Sequence, residues 1–390
     1  MPMKMKLNPE EQEILAGKRG KALSLALQTL VRYGEAFGAD RLVEIRSAHL
    51  AGSFGVFVYR AYYDMLRRMV SEGLKVVVPT TLNPRPVEGV GLLYRFMVNK
   101  QEFLEDQMAK LGVTPNYSCV CYDQENCPEP GSILAWAESS AVQFANSVLG
   151  ARTNRNSVAI DICSAVLGKT PNFGYLLDEN RRGQVLVKVQ ARKIDFPALG
   201  FLIGKKVVNR VPVVEHLECS RDDLKNMGAA MAASGAVALF HIEGVTPEAP
   251  SMKDAFDGPP QETITITETE LDSLRTFEKS RPDVVVFGCP HLTRAEVETI
   301  GARFQGRKVK LPTYFCIIPR VREELRGTEI LQSLEESGVK ITSECPLAAW
   351  SVRSFGRKTV LTNSCKLFYY YNKTEYGTTE DCLRFCGAIS

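Results

Sequence analysis

The chain alternates short apolar runs with longer stretches of helical periodicity, and this alternation constrains its fold more than any other feature. Strands are predicted at 41–46, 75–78, 185–192, 236–242, 283–287, 309–318, 339–342 and 359–361. Helices are predicted at 9–37, 58–72, 132–148, 224–234, 293–300 and 323–337. Strands that alternate with helices are typical of α/β domains with mainly parallel sheets, and this is the predicted fold class.

The length of 390 residues favours two or three domains, since a domain commonly has about 100–200 residues. We expect an N-terminal α/β region with a helical start at 1–150, a middle α/β region at 151–245 and a C-terminal α/β region at 263–390. Residues 246–262 are rich in Pro, Gly and acidic side chains, which predicts a linker between the last two regions.

The charge balance and the hydropathy exclude several classes of partner. The 48 basic and 45 acidic residues give a formal net charge of +3, which is not the strongly basic footprint of a nucleic-acid-binding protein. No run approaches the roughly 18 consecutive apolar residues of a membrane span. The N-terminal residues lack the apolar core of a signal peptide, so we expect a cytoplasmic protein.

Ligands of parallel sheets bind beyond the carboxyl ends of the strands, and this rule selects candidate residues. Four of the eleven cysteines follow predicted strands: Cys119, Cys289, Cys345 and Cys365. Three or four thiolates from separate strand ends suit a soft metal or an iron–sulfur cluster. Packing of buried cysteines in an α/β core is the competing interpretation, and a zinc knuckle within 119–127 is another.

Polar and basic residues supply candidate ligand contacts. Near predicted strand ends these are Ser47, His49, Thr80, Thr81, Asn83, Ser364 and Lys366; on the otherwise apolar helix 132–148 they are Glu138, Ser139 and Asn146; and Arg152, Arg155 and Arg181 are the basic candidates. Arginine forks suit a carboxylate or a phosphate through bidentate hydrogen bonds. Surface ion pairs for the arginines and a structural role for the lone histidine are the alternatives.

Six blocks of the sequence resemble the large subunit of the aconitase X family. They are Ser47-Ala48-His49, Pro79-Thr80-Thr81-Leu82-Asn83, Trp136-Ala137-Glu138-Ser139, 144–155, Asp178–Gly183 and Gly288-Cys289-Pro290-His291. The similarity runs from about residue 8 to residue 366, and 144–155 is a highly specific block. The resemblance implies an aconitase-like α/β fold, in which three domains with mainly parallel sheets surround a central cluster site.

The resemblance also implies a hydro-lyase that contains an iron–sulfur cluster. The implied ligands are Cys119, Cys289 and Cys345, which would hold a 4Fe–4S cluster with one open iron or a 2Fe–2S cluster. A separate small subunit, the swivelling domain, would supply a catalytic serine, so this chain alone is expected to be inactive. A heterodimer is therefore the expected assembly.

The same resemblance assigns roles to the polar residues. The implied catalytic residues are His49, Glu138 and Ser47. The implied substrate-binding residues are Asn83, Thr80, Ser139, Asn146, Arg152, Arg155, Arg181, Ser364 and Lys366.

Two dehydrations are implied by the family. One converts mevalonate 5-phosphate to trans-anhydromevalonate 5-phosphate in the archaeal mevalonate pathway of isoprenoid biosynthesis, and the other acts on cis-3-hydroxy-L-proline. A separate large chain of this size favours the first. A metal-free binding or scaffold subunit is an alternative of another class, although three thiols at strand ends argue against it.

Overall fold

The computed structural model describes residues 4–52, 60–87, 95–123, 126–276, 281–353 and 357–389. The chain divides into two compact units. The first consists of Met1–Asn83, Gly89–Tyr117 and Cys121–Arg182, and the second of Pro84–Glu88, Ser118–Val120 and Gly183–Ser390. Mainly parallel sheets with helices packed on them build both units, which confirms the predicted α/β class.

The first unit centres on a small parallel sheet. Its helices are α1 (Pro9–Leu15), α2 (Lys21–Ala36), α3 (Arg60–Ser71), α4 (Arg95–Leu111), α5 (Ser139–Ser147) and α6 (Val158–Leu167). Its strands are β1 (Leu42–Glu44), β2 (Ser47–Leu50), β3 (Thr80–Leu82), β4 (Leu134–Trp136) and β5 (Lys169–Pro171). Strand β2 lies between β3 and β4, and β1 pairs with β5 in antiparallel fashion. Leu27, Leu30, Leu66 and Ile162 belong to the buried core under these elements.

Several predicted elements of this unit are divided or displaced. Gly17 and Gly20 have φ angles of +79° and +99° and separate α1 from α2, where a single helix was predicted at 9–37. The predicted helix 58–72 corresponds to α3, and its first two residues lie outside the described residues. The predicted strand 75–78 is irregular, because Val76 N and Val77 N donate to carbonyls of helical segments rather than to a strand.

The predicted helix 132–148 is a strand followed by a helix. Its first apolar residues form β4, which is fully buried and pairs with β2. Glu138 then caps α5 by accepting a hydrogen bond from Ala141 N at 2.7 Å. A short, fully apolar run cannot be assigned to a helix or a strand from periodicity, which explains the wrong prediction.

The second unit contains two parallel sheets. Its helices are α7 (Phe196–Val207), α8 (Arg221–Gly235), α9 (Met252–Ala255), α10 (Glu268–Ser273), α11 (Arg294–Gly301), α12 (Pro319–Glu324), α13 (Glu329–Ser337), α14 (Pro346–Arg353), α15 (Cys365–Tyr370) and α16 (Thr379–Cys386). Its strands are β6 (Val185–Gln190), β7 (Pro212–Val214), β8 (His241–Ile242), β9 (Glu262–Thr267), β10 (Val284–Leu292), β11 (Thr313–Ile317), β12 (Lys340–Thr342), β13 (Val360–Thr362) and β14 (Thr374–Tyr376). The strand orders are β8-β7-β6-β9 and β12-β11-β10-β13-β14.

Polar contacts join the two sheets of the second unit. The buried Lys225 of α8 donates to the carbonyl of His291 in β10 at 3.1 Å and pairs with Glu296 of α11. The Tyr376 hydroxyl lies 2.8 Å from both carboxylate oxygens of Asp195. The segment 246–262, which was predicted as a linker, contains α9 and reaches the first residue of β9.

Candidate active site

One row of side chains crosses the parallel sheet of the first unit. His49 of β2 is the register partner of both Thr81 in β3 and Trp136 in β4, so the three side chains share a face of the sheet. The His49 Nδ1 atom lies 2.9 Å from Thr81 Oγ1, and the His49 and Trp136 rings meet edge to face with centroids 6.0 Å apart. Trp136 Nε1 donates to Ser47 Oγ at 3.3 Å.

Ser47 and His49 therefore lie within a strand, whereas the sequence predicted that they follow one. His49 is fully buried, and burial lowers its pKa to about 4, an effect that the nearby Glu138 carboxylate opposes. Near neutral pH the imidazole is consequently neutral, with one ring nitrogen as a donor and the other as an acceptor.

Three further predicted site residues are close in sequence to the residues of this row: Thr80 precedes Thr81, and Glu138 and Ser139 follow Trp136. Glu138 accepts hydrogen bonds from Ala141 N and Ser140 Oγ, both at 2.7 Å, so its carboxylate caps α5. Ser139 is the first residue of that helix and is partly buried. Thr80 Oγ1 donates to Val78 O at 2.9 Å. These contacts show local structural roles for Glu138 and Thr80.

The guanidinium group of Arg181 makes its hydrogen bonds to neighbouring residues of the same unit. Its two terminal nitrogens donate to Asn146 Oδ1, Asn146 O, Tyr175 O and Ala151 O at 2.9–3.3 Å, and only 2% of the residue is exposed. Asn146 in turn exchanges two hydrogen bonds of 2.9 Å with the backbone of Thr153. The four hydrogens on the terminal nitrogens of Arg181 are thus used to fix the turn that follows α5.

Arg152 and Arg155 differ from Arg181 in their exposure. Arg152 donates to Leu176 O at 2.9 Å and pairs with Asp178, and this hydrogen bond lowers the pKa of the Asp178 carboxyl. The side chain of Arg152 keeps 26% of its surface exposed, and Arg155 is exposed. Asn83 is buried, and its backbone N donates to Leu50 O at 3.0 Å.

A bulge in the central strand of the second unit presents Cys289. Phe287 pairs with Phe315 and Leu292 pairs with Ile317, so the four residues 288–291 of β10 lie opposite the single residue Cys316 of β11. Gly288 adopts a φ of +96°, and a Cβ atom there would lie 2.5 Å from the Cys316 carbonyl oxygen. Glycine is therefore required at the start of the bulge, which removes Cys289 and its neighbours from the regular ladder.

The bulge brings His291 into contact with a distant cysteine. Its backbone N donates to Cys119 Sγ at 3.3 Å, across 172 positions of the sequence. Its ring Nε2 lies 3.0 Å from the carbonyl oxygen of Glu344, the residue immediately before Cys345. One histidine thus contacts the segments that carry two of the three predicted metal ligands.

The predicted ligand cysteines interact electrostatically with a common neighbour, Cys316. Burial raises the pKa of the Cys316 thiol well above its usual value, and Cys289, Glu344, Cys345 and Cys119 raise it further. Cys119 and Cys289 are each 8% exposed. The three predicted ligands therefore act on one neighbour and form a thiol group in which Cys119 and Cys289 are buried and Cys345 is partly buried. Cys365 is not among the groups that act on Cys316.

Ser364 is the N-cap residue of α15, and Lys366 is the second residue of that helix. The Ser364 hydroxyl donates to the carbonyl oxygen of Cys289 and accepts from Leu367 N at 3.1 Å. Lys366 is 7% exposed. Ser364 therefore connects the bulge of β10 to α15.

Sequence reasoning missed four residues that the structure places at these two groups of side chains. They are Asn126 beside Thr81, and Cys316, His291 and Glu344 beside the ligand cysteines. Only His291 carried a signal in the sequence, because it ends the motif Gly288-Cys289-Pro290-His291. The others depend on tertiary contacts between distant segments.

Comparison with known proteins identifies the family. Profiles of the first, second and third domains of aconitase X match residues 4–179, 183–276 and 282–387. The chain belongs to the aconitase X family. A crystal structure of Thermococcus kodakaraensis aconitase X in its holo-form is 35% identical, covers 97% of this chain and 99% of the other, and superposes with a TM-score of 0.89. The three-domain aconitase X fold predicted from the sequence is thus confirmed.

Relatives in the aconitase X family carry two names. Phosphomevalonate dehydratase large subunits of Thermococcus kodakarensis and Methanosarcina mazei are each 37% identical, over 97% of this chain and 97% and 96% of theirs. The cis-3-hydroxy-L-proline dehydratase of Pseudomonas aeruginosa is 32% identical over 94% of this chain, which spans 66% of that enzyme. The relatives of both kinds are dehydratases.

Two negative findings concern the described part of this aconitase X chain. Its described residues contain no group of three or more His, Cys, Asp and Glu side chains that could hold a metal ion. No helix among them is long and apolar enough to cross a membrane.

Proposed function

We propose that this chain is the large subunit of an iron–sulfur dehydratase that converts mevalonate 5-phosphate to trans-anhydromevalonate 5-phosphate. The observation that carries the proposal is the 37% identity, over 97% of both chains, to the phosphomevalonate dehydratase large subunit of Thermococcus kodakarensis. The enzyme would then act in an archaeal-type mevalonate pathway for isoprenoid biosynthesis.

The thiol group of Cys119, Cys289 and Cys345 supports an iron–sulfur cluster as the cofactor. Cys119, Cys289 and Cys345 offer soft sulfur donors, which iron–sulfur clusters require. In such a cluster the thiolates bind different iron atoms, so they need not converge on one ion as the ligands of a single metal do. When bound through three cysteines, a 4Fe–4S cluster supplies an open iron with Lewis-acid character. A 2Fe–2S cluster is the second form that three cysteines can hold.

Side chains of the first unit supply several of the remaining roles, and Ser364 and Lys366 of the second unit stay proposed substrate-binding residues. Neutral His49 is suited to donate a hydrogen bond to an oxygen of the substrate. Arg152 and Arg155 retain exposed guanidinium surface and are suited to bind phosphate or carboxylate. Arg181 and Asn146, whose hydrogen bonds are used within the fold, hold the backbone that carries these arginines.

A separate small subunit is the proposed partner, because the relatives are named large subunits. We assign to this partner the serine that removes the substrate proton. The chain alone then lacks the base and has no dehydratase activity, whereas the reconstituted pair is active.

Dehydration of cis-3-hydroxy-L-proline is the second candidate function, supported by the relatives of that name. It requires no phosphate site. A direct comparison of the two substrates with the same preparation of the pair separates the candidates, since only the first substrate carries a phosphate.

The test is the iron and acid-labile sulfide content of the chain, purified anaerobically with its small subunit, together with dehydration of both substrates. We expect about four irons and four sulfides per chain and activity on mevalonate 5-phosphate. About two irons with activity on hydroxyproline alone would replace the proposal by the second candidate. A colourless, iron-free protein after reconstitution would identify a metal-free scaffold.

A matched pair of variants tests the ligand assignment. Cys289→Ser is expected to lose both iron and activity. Cys219→Ser, which changes a partly exposed cysteine of the same unit, is expected to keep both. Full activity of Cys289→Ser would contradict the assignment.

A further inference from the structure

The His49 Nε2 atom of the first unit is buried and makes no hydrogen bond to the described residues. His49 is fully buried, and its Nε2 atom has no hydrogen-bond partner among the residues that the structure describes. A buried polar atom without a partner costs about 1–3 kcal/mol, so such an atom is expected where a ligand completes its contacts. The ring is oriented by the edge-to-face contact with Trp136 and by the 2.9 Å contact of Nδ1 with Thr81 Oγ1.

The orientation of the Asn126 side chain follows from its neighbours. Its amide nitrogen lies 3.0 Å from the backbone carbonyl oxygen of Ala48 and 2.9 Å from Thr81 Oγ1. A carbonyl oxygen can only accept, so the atom that faces it must be the NH2 group. Asn126 is 4% exposed and therefore holds this arrangement away from water. One amide hydrogen goes to Ala48, and the other goes to Thr81.

The hydroxyl of Thr81 then determines the tautomer of His49. Because Thr81 Oγ1 accepts from Asn126, its own hydrogen needs an acceptor, and His49 Nδ1 is the one in contact within the described structure. If Nδ1 carried a hydrogen instead, the buried Thr81 hydroxyl hydrogen would have no acceptor. The arrangement without this loss leaves Nδ1 unprotonated and places the ring hydrogen on Nε2.

We propose that Asn126 and Thr81 are positioning residues that fix His49 as the Nε2–H tautomer, so that Nε2 donates a hydrogen bond to an oxygen of the bound hydroxy acid. The identity of that ligand rests on the proposed function, whereas the tautomer rests on the contacts of the three side chains alone. Hydrogen bonding from a fixed donor stabilises negative charge that develops on a departing hydroxyl or on the acid group.

The first test observes the tautomer directly. The chain contains four histidines, so 15N-histidine labelling of this chain alone, in the anaerobically purified pair, gives few ring signals. The His49 signals are identified by their disappearance in His49→Gln. We expect an unprotonated, pyridine-type Nδ1 and a protonated, pyrrole-type Nε2. A protonated Nδ1 in the unmodified protein would overturn the proposal without any variant.

The second test removes the hydroxyl and restores it. Thr81→Val keeps the shape of the side chain but lacks the donor, and it is expected to populate the Nδ1–H tautomer and lower kcat about 10- to 100-fold with little change in KM. Thr81→Ser retains the hydroxyl and is expected to keep both the tautomer and kcat. A Thr81→Val protein with the unmodified tautomer and kcat would overturn the proposal.

Different outcomes overturn the proposed function and the positioning of His49. If the unmodified pair does not dehydrate mevalonate 5-phosphate but the 15N spectrum shows the Nε2–H tautomer, the proposed function fails and the positioning by Asn126 and Thr81 stands. If the pair is active and the tautomer is the other one, the positioning fails and the proposed function stands.

Discussion

At the scale of single residues, burial and hydrogen-bond partners distinguish Arg181, which stabilises the fold, from Arg152, which is partly exposed. Arg181 donates hydrogen bonds to three backbone carbonyl oxygens, those of Asn146 and Ala151 in buried contacts and that of Tyr175 in a partly buried one. Arg152 has one carbonyl partner and one exposed carboxylate partner. The two residues look equivalent in the sequence, yet their replacement has different consequences.

We predict that Arg181→Ala destabilises the first unit by about 3 kcal/mol or more, because the three carbonyl oxygens lose their donor. Arg152→Ala is expected to change stability by no more than about 1 kcal/mol, since its ion pair is exposed, and to raise KM for mevalonate 5-phosphate. Urea unfolding and steady-state kinetics of both variants check this. An Arg181→Ala protein of normal stability would contradict the structural role.

The pKa of His49 predicts how stability depends on pH. The folded-state pKa of about 4 lies below the ordinary value of 6.5, so the unfolded chain binds a proton between these values and the folded chain does not. Stability is therefore lost as the pH falls from 6.5 to 4, by up to about 3 kcal/mol. In His49→Gln, the urea midpoint of unfolding is expected to change less with pH over this range. An unchanged pH slope in the variant would contradict the prediction.

At the scale of secondary-structure elements, the bulge in β10 is the feature that removes Cys289, a proposed ligand, from the regular ladder of the sheet. A regular strand would alternate its side chains between the two faces, and the residues after Phe287 would remain in the ladder. The insertion of residues 288–291 opposite Cys316 frees the backbone of His291 to contact Cys119. The positive φ of Gly288 and its closeness to the next strand make this geometry possible.

Gly288→Ala is predicted to disturb this element in two ways. The positive φ is unfavourable for alanine, and the new Cβ would overlap the Cys316 carbonyl oxygen, for a combined cost of about 3 kcal/mol. We expect a lower Tm and a reduced iron content.

Gly306→Ala is the matched control for Gly288→Ala. Its φ is +69°, but no atom lies within 4 Å of the added Cβ, so a cost of about 1 kcal/mol and a normal iron content are expected. Equal effects of the two variants would show that the backbone conformation matters and the contact with Cys316 does not.

At the scale of the whole chain, Lys225 couples the two sheets of the second unit. Its side chain is 1% exposed, and it pairs with Glu296, whose side chain is 12% exposed. It also donates to His291 O, which lies in the bulge that presents Cys289. The ion pair therefore connects the packing of the second and third family domains to the thiol group.

Lys225→Met is predicted to destabilise this unit by about 3–5 kcal/mol, because the mostly buried Glu296 carboxylate would lose its counter-ion. The double variant Lys225→Met with Glu296→Gln removes both charges and is expected to recover a large part of this loss. Thermal unfolding of the two variants measures the difference. A double variant that is as unstable as Lys225→Met would show that lost packing, not the unpaired charge, dominates.

The sequence by itself determined the α/β class and the strands of the second unit near 185, 284, 313, 340 and 360, and it singled out Cys119, Cys289, Cys345 and Cys365 as candidate ligands. The class and the strands depend on local periodicity, and the four cysteines were selected because they follow predicted strands; both are readable from neighbouring residues. The resemblance to the aconitase X family reduced the four cysteines to three. The roles of the predicted ligand cysteines stay predictions until iron is measured.

Only the tertiary structure decided which polar side chains use their hydrogen bonds within the fold and which are suited to contact a ligand. The strand β4 was hidden in an apolar run, and the partners of Arg181 and His49 come from distant segments. Asn126 reaches Ala48 across 78 positions, and Cys119 meets His291 across 172. Hydrogen-bond demand is a property of the surroundings in space, so no pattern along the chain specifies it.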